Sequence, residues 1–438
     1  MRQPRACAGF AMSRRALGWM LLALAPLVLL ALAVGGVLLA RQGGLAPFRV
    51  PVATRAAPAS SPALLAEGEY LARIGNCATC HTTRGGTPYA GGRAFRTPYG
   101  TIHSTNLTPD AKTGLGEWSL AEFRHAMRHG VSRHGVLYPV FPYAHFALLT
   151  DADLDALYAF LASLPASASP TPANRLEFPA SWRPALIGWR MLHERPADPA
   201  FGANQPAQWR RGRYLVDGLG HCAMCHGTRG ERGSLPPEGY LAGGTIPGLG
   251  WYAPPLDERQ LARYSESELA AYLRDGSSPH GDAYGPMAEV VYESLRHLRA
   301  HDALAMAVFL KSIPARRPAP TPSMAAVADG QGQALYEREC ADCHGSDGRG
   351  VPGRHPPLID AVAVTAPDPA NAIRMILYGG MAPTTAGHPR PYTMPPFVQT
   401  LTSAEIAAVT NYIRTRWGGR ESRLGAGDVD VRHGILIE

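Results

Sequence analysis

Three copies of one pentapeptide constrain this 438-residue chain more than any other feature: Cys77-Ala-Thr-Cys80-His81, Cys222-Ala-Met-Cys225-His226 and Cys340-Ala-Asp-Cys343-His344. In C-x-x-C-H the two thiols are spaced to form thioethers to the vinyl groups of one haem, and the adjacent imidazole is placed to bind the iron as proximal ligand. A lone C-x-x-C also suits a redox dithiol or half a zinc site. Here every pair carries its own His, and nothing resembles the second half of a C-x-x-C…C-x-x-C zinc site. The pattern predicts three covalently bound haems c.

Of seven cysteines only Cys7 is left over, in the short tail ahead of an apolar stretch, so no disulfide framework remains to explain. Haem attachment to C-x-x-C-H implies an extracytoplasmic compartment. The N-terminus agrees: Arg2, Arg5, Arg14 and Arg15 precede an uncharged run from Ala16 to Ala40. As a helix this run would span roughly 38 Å, enough for a bilayer core. A cleaved signal peptide with Ala31-Leu-Ala33 as its site is the alternative. Apolar sequence continues through Val37-Leu-Leu39, which favours a retained membrane anchor with the N-terminus in the cytoplasm and the haem motifs on the opposite side.

The formal charge of +7 and the pI of about 9.1 invite a nucleic-acid reading. Four of those charges stay with the anchor, however, and six haem propionates would turn the remainder negative. No basic patch for nucleic acid is expected. Lys112 and Lys311 are the only lysines, which argues against a lysine-ringed docking face.

An internal repeat organises the rest. Each repeat opens with a helical lead-in: Gly68-Glu-Tyr-Leu-Ala-Arg-Ile, Gly212-Arg-Tyr-Leu-Val-Asp-Gly and Gly332-Gln-Ala-Leu-Tyr-Glu-Arg. Each closes with a helix, over 149–165, 298–314 and 401–417. Leu157, Phe160, Leu161 and Leu164 fall on one helical face and match Met306, Phe309, Leu310 and Ile313, then Val409, Tyr412 and Ile413. A middle helix recurs as well. Ser119 and Ser265 read as N-caps with Glu122 and Glu268 three residues on, while Gly130 and Gly276 read as stops. The expected fold is all-α: three tandem cytochrome c domains behind an N-terminal transmembrane or signal helix. The boundaries are 1–45 for the anchor or signal, 46–63 for a linker, and 64–170 for the first domain. A connection over 171–208 precedes the second domain at 209–316. The third follows at 317–420, with a polar tail at 421–438. The connection contains Trp182 and Trp189 and either packs across the interface or is an ordered linker.

The sixth iron ligand decides the chemistry, since methionine closes the iron for electron transfer and an open position permits catalysis. Met287, eleven residues after Gly276, and Met394, just before the third closing helix, are the expected distal ligands. Met381 competes with Met394 but directly follows the Gly379-Gly380 stop. In the first repeat the Met287 spacing lands on Phe141, which cannot ligate iron. His145, four residues on, is the candidate, giving His81/His145 ligation; a five-coordinate iron under Phe141, or His103 as ligand, remains open. His134 aligns with His280, which points to a shared structural or surface role. A His/His first haem would sit lower in potential than two His/Met haems and would send electrons toward the later repeats.

Several longer strings carry a family resemblance. Gly100-Thr-Ile-His-Ser-Thr-Asn-Leu-Thr-Pro-Asp110, Gly114-Leu-Gly-Glu-Trp-Ser119 and Gly130-Val-Ser-Arg-His-Gly135 resemble the first module of triheme cytochrome c subunits of membrane-bound bacterial dehydrogenases. Tyr214-Leu-Val-Asp-Gly-Leu-Gly-His-Cys222 and Gly285-Pro-Met-Ala-Glu-Val-Val291 resemble their second module. The resemblance spans about 64–417. It implies a periplasmic dehydrogenase catalytic subunit as donor, of molybdenum, flavin or quinone-cofactor type, and ubiquinone or a terminal oxidase as acceptor. It also implies His81, His226 and His344 as proximal ligands and Met287 and Met394 as distal ones. Phe141 departs from the methionine that many relatives have, and the tail from Gly418 holds no membrane segment. No nucleotide loop or catalytic triad setting is present. The competing reading is a haem enzyme, such as a peroxidase or sulfur-compound oxidase, or a sensor, acting at an open first haem.

Overall fold

The computed structural model describes residues 14–41, 48–51, 60–195, 197–315, 330–419 and 421–433; Arg2, Arg5 and Cys7 lie outside them. α1 (Arg14–Arg41) occupies the N-terminal apolar run. Its 28 residues span about 42 Å, and Leu22–Ala40 is long and apolar enough to cross a membrane, with none of that stretch buried.

A helix pair then recurs. α2 (Pro62–Ile74) packs on α4 (Asp151–Ser163), α6 (Ala207–Arg213) on α8 (Ala300–Lys311), and α9 (Gly330–Glu339) on α11 (Ser403–Trp417). The lead-in glycines explain the crossing. A Cβ on Gly68 would stand 2.0 Å from the Ala156 carbonyl oxygen, one on Gly212 1.9 Å from that of Ala305, and one on Gly332 2.4 Å from that of Ala408. Backbone meets backbone at all three crossings, and only glycine fits. The apolar stripes face inward as their spacing predicts: Leu157, Leu161, Met306, Phe309, Leu310, Val409 and Ile413 are buried.

Middle helices stand between the pairs: α3 (Leu120–His129), α7 (Glu266–Asp275) and α10 (Ala370–Tyr378). Ser119 and Ser265 each complete a capping box with Glu122 and Glu268, and Gly130 and Gly276 end their helices at positive φ. α10 follows Pro369 without that box and stops at Gly379, also at positive φ.

The fold is mostly helical, with short antiparallel strands in the loops. β1 (Ala94–Thr97), β2 (Gly100–His103) and β3 (Arg175–Leu176) form one sheet in that order, with Ala94 opposite His103 and Gly100 opposite Leu176. These segments wrap around a cavity, away from the apolar core, so their backbone groups pair with one another. Buried apolar side chains from Tyr70 to Ile313 form a single cluster across the first two repeats, while the third repeat has its own.

The connection contains α5 (Arg183–His193). It bridges neighbours: Trp189 Nε1 donates to the Arg232 carbonyl at 3.0 Å, and Leu186 packs with Val131, Val136, Phe48 and Val50. The second repeat also meets the third. The Asn371 side chain exchanges two hydrogen bonds of 2.8 Å with the Tyr252 backbone, and Thr385 Oγ1 donates to the Asp275 carbonyl at 3.0 Å.

Candidate haem sites

Each C-x-x-C-H motif is wound into one helical turn. The backbone N–H of His81, His226 and His344 donates to the carbonyl of the first cysteine of its motif, at 2.9, 2.9 and 3.0 Å. One turn brings side chains three apart to the same face, so both thiols and the imidazole of each motif address one side. In the first two repeats the turn is entered through a left-handed residue, Asn76 or His221.

The three histidines share a second feature. His81 Nδ1 lies 2.6 Å from the Thr105 carbonyl, His226 Nδ1 2.8 Å from that of Pro254, and His344 Nδ1 3.0 Å from that of Pro356. A carbonyl only accepts, so Nδ1 carries the proton and Nε2 keeps its lone pair, the tautomer that could ligate a metal. Burial lowers the pKa of all three, which keeps them neutral at pH 7. The carbonyls belong to Thr105-Asn-Leu107, Pro254-Pro-Leu256 and Pro356-Pro-Leu358. Sequence reasoning missed them. The signal was the leucine two residues on, partly buried against the core each time.

The thiols also suit thioethers. Burial pushes Cys77, Cys222 and Cys340 up to about 12 and Cys80 up to about 11. A reactive dithiol or thiolate metal site calls for the opposite shift. Among the described residues, no group of three or more His, Cys, Asp or Glu side chains is placed to hold a bare metal ion.

A cavity of about 2370 Å³ runs between the first two repeats and is lined by Cys80, Phe141, His145, Met224 and Cys225. Cys80 of the first motif and Cys225 of the second thus border the same space. Arg229 also lines this cavity. Its guanidinium donates to the Met224 and Gly233 carbonyls at 2.9 Å each, while its Nε is buried without a hydrogen-bond partner. A half-buried cation with an orphaned donor beside a motif of this kind fits a group that carries carboxylates, as haem does.

The distal candidates occupy different settings. Met287 sits in the first turn of the helix Pro286–Glu293, partly buried against the shared core. Met394 pairs with Gly380 in a short ladder and is partly buried against the third core. Met381, its competitor, is 54% exposed. Phe141 packs edge-on against Phe146, with centroids 5.4 Å apart. His145 lies in the short helix Tyr143–Phe146, and its Nδ1 is 2.6 Å from the Asp217 carbonyl in the second repeat. Burial lowers its pKa, and Arg229 lowers it further. His145 therefore has the same proton arrangement as the three motif histidines, with Nε2 free of the proton. His103 lies in β2 with its Nδ1 buried and unpartnered. His134 and His280 occupy matching hairpin tips, each with its backbone N–H donating to a serine Oγ at 3.2 Å.

Comparison with known proteins agrees with this geometry. The cytochrome c family model matches residues 65–165 and 330–417, which are the first and third repeats. The chain is 39% identical over 402 residues to the gluconate 2-dehydrogenase cytochrome c subunit of Pantoea cypripedii, covering 84% of this chain and 89% of that protein. It is 37% identical over 381 residues to the cytochrome c subunit of the quinone-type alcohol dehydrogenase of Gluconobacter oxydans, covering 81% of this chain and 79% of that one. It is 36% identical over 408 residues to the fructose dehydrogenase cytochrome subunit of Gluconobacter japonicus, covering 84% of this chain and 83% of that protein. With repeated C-x-x-C-H turns, carbonyl-oriented histidines and this similarity over most of its length, the chain belongs to the cytochrome c subunits of bacterial dehydrogenases.

Proposed function

We propose that the chain carries three covalent haems c and moves electrons from a periplasmic dehydrogenase catalytic subunit to ubiquinone or a terminal oxidase. The observation that carries this reading is the threefold recurrence of a C-x-x-C-H turn whose His Nδ1 is held by a backbone carbonyl. Bound haem supplies a one-electron iron couple. Cys77, Cys80, Cys222, Cys225, Cys340 and Cys343 tether it, and His81, His226 and His344 offer Nε2 as proximal ligands.

On the distal side, Met287 and Met394 serve the second and third sites and His145 serves the first. Support for His145 is its cavity position and its Nδ1 bond to Asp217, which leaves Nε2 in the lone-pair tautomer. Phe141 beside it keeps water from that face. The first two sites adjoin through the shared cavity, and the second repeat contacts the third, so electrons would pass through the repeats in chain order or its reverse. The three tandem cytochrome c domains at 64–170, 209–316 and 317–420 each supply one site. The partner's own cofactor is a molybdenum centre, a flavin or a quinone cofactor. The chain is held at the inner membrane by α1, with the haem domains periplasmic.

The test is a paired optical and EPR spectrum of the purified ferric protein, with and without cyanide, and with carbon monoxide after reduction. Three low-spin haems that bind neither ligand, two of them His/Met and one His/His, are expected. One high-spin, ligand-binding haem would overturn the ligation of the first site and bring an open-haem enzyme forward.

A further inference from the structure

A surface helix ordinarily turns charged residues to water. α5 exposes one, Arg183 in its first turn, and that guanidinium is engaged by the Val136 carbonyl. Leu186 and Arg190 mark its buried side, and the exposed positions four apart are Pro184, Gly188 and Leu192, without a charge among them. A Cβ on Gly188 would meet nothing within 4 Å. Two large aromatics precede the helix on the outside: Phe178 is 79% exposed and Trp182 56%, while Leu192 is 58% exposed. An uncharged face ending in exposed Phe, Trp and Leu is costly in water and needs a cover.

What covers it follows from the anchor. α1 contacts α5, and beyond residues 42–47 the chain is docked on the same helix. There Phe48 lies under the Arg190 guanidinium, 5.5 Å from ring centroid to Cζ, and Phe48 and Val50 pack against the cluster of Leu186, Val131 and Val136. Arg41 and Phe48 are separated by at most about 25 Å of extended chain. If α1 crosses the bilayer, α5 is therefore held at the membrane surface.

We propose that α5 and the Phe178–Trp182 segment before it form a membrane-seated platform, with Phe178, Trp182 and Leu192 in the lipid–water boundary and α1 as the tether beside it. Aromatic side chains at that depth, on a helix lying in the plane of the interface, are the expected chemistry for such a contact. The inference rests on the reading of α1 as a retained anchor. Its consequence is positional: Pro179 and Ala180 of that segment and Ala185, Leu186 and Trp189 of α5 line the cavity of the first two repeats, so lipid would lie beside that cavity.

The experiment uses the full haem-loaded chain in phosphatidylethanolamine–phosphatidylglycerol liposomes containing a lipid whose acyl chain carries a photoreactive carbene precursor. Labelled peptides are mapped by mass spectrometry after illumination. Label is expected on Leu22–Ala40 and also on 176–195. Label on the anchor with none on 176–195 overturns the platform and leaves the patch to a protein partner. Label on neither overturns the anchor reading and the platform together. In the variant Phe178→Ser/Trp182→Ser/Leu192→Ser, with an unchanged haem spectrum, the anchor keeps its label and 176–195 loses most of its own. Undiminished label there would also overturn the proposal.

Discussion

Tyr70 in α2 donates a hydrogen bond of 2.5 Å to Asp302 in α8, across the boundary between the first two repeats. The relationship is reciprocated. Tyr214, which stands where Tyr70 stands in the next lead-in, donates to Asp153, which stands where Asp302 stands in the other closing helix. The two repeats are thus joined about a local pseudo-twofold, and Cys80 and Cys225 line the cavity between them. The third repeat has Ala334 and Glu405 at these places and is attached by other contacts.

Asp302 is fully buried, and Arg211 grips it with two bonds of 2.7 Å. Burial alone would raise its pKa, but the Arg211 and Tyr70 bonds outweigh that and hold it below the usual carboxylate range. A depressed carboxylate stabilises the fold above its unfolded pKa, about 4, and that contribution fades as pH falls through the folded value. Asp302→Asn should cost about 3 kcal/mol at pH 7, because it leaves Arg211 without its carboxylate. The cost should shrink below pH 4. Tyr70→Phe should cost about 1 kcal/mol, and in the double variant the two losses should not add. Denaturant melts of the four proteins at pH 7 and pH 3.5 check both points.

Gly68→Ala puts a methyl group 2.0 Å from the Ala156 carbonyl and 2.7 Å from Phe160 Cβ. The backbones must separate, at about 2 kcal/mol. Thermal melting should drop by several degrees, whereas Gly427→Ala, with nothing within 4 Å, should leave it unchanged apart from helix propensity.

Met394→Ala should convert one haem to a high-spin form that binds carbon monoxide after reduction, and Met287→Ala a different one. Met381→Ala should leave the spectrum as it was, because that side chain is 54% exposed. A spectral change in the Met381 variant alone would move the third distal ligand to residue 381.

The iron ligation proposed for His145 can be separated from its bond to the Asp217 carbonyl. Asn at 145 retains an N–H donor for that carbonyl but offers no imidazole. His145→Asn and His145→Ala should both turn the first haem high-spin, with the alanine variant also losing about 1 kcal/mol of stability. Unchanged low-spin EPR signals in both would exclude His145 as the ligand.

The amino-acid sequence by itself determined the parts whose causes are local. C-x-x-C-H needs only one helical turn, a capping box only three residues, and an apolar stripe only the helical period. The C-x-x-C-H turns, Ser119 and Ser265 with their glutamates, and the paired helices with Phe160, Phe309 and Tyr412 at their crossings were therefore legible. So was the apolar span of α1, since length and composition decide it. Tertiary structure decided what depends on residues far apart in the chain. The Thr105, Pro254 and Pro356 carbonyls lie 24, 28 and 12 residues from their histidines, and this uneven spacing hid a shared role. Nothing in α2 announces that Tyr70 will meet Asp302, 232 residues away, because the pairing exists only once the first two helix pairs share a core. The connection was legible as a segment rich in tryptophan; that α5 would bury Leu186 and Arg190 and turn Leu192 outward was set by which neighbours claimed its other side.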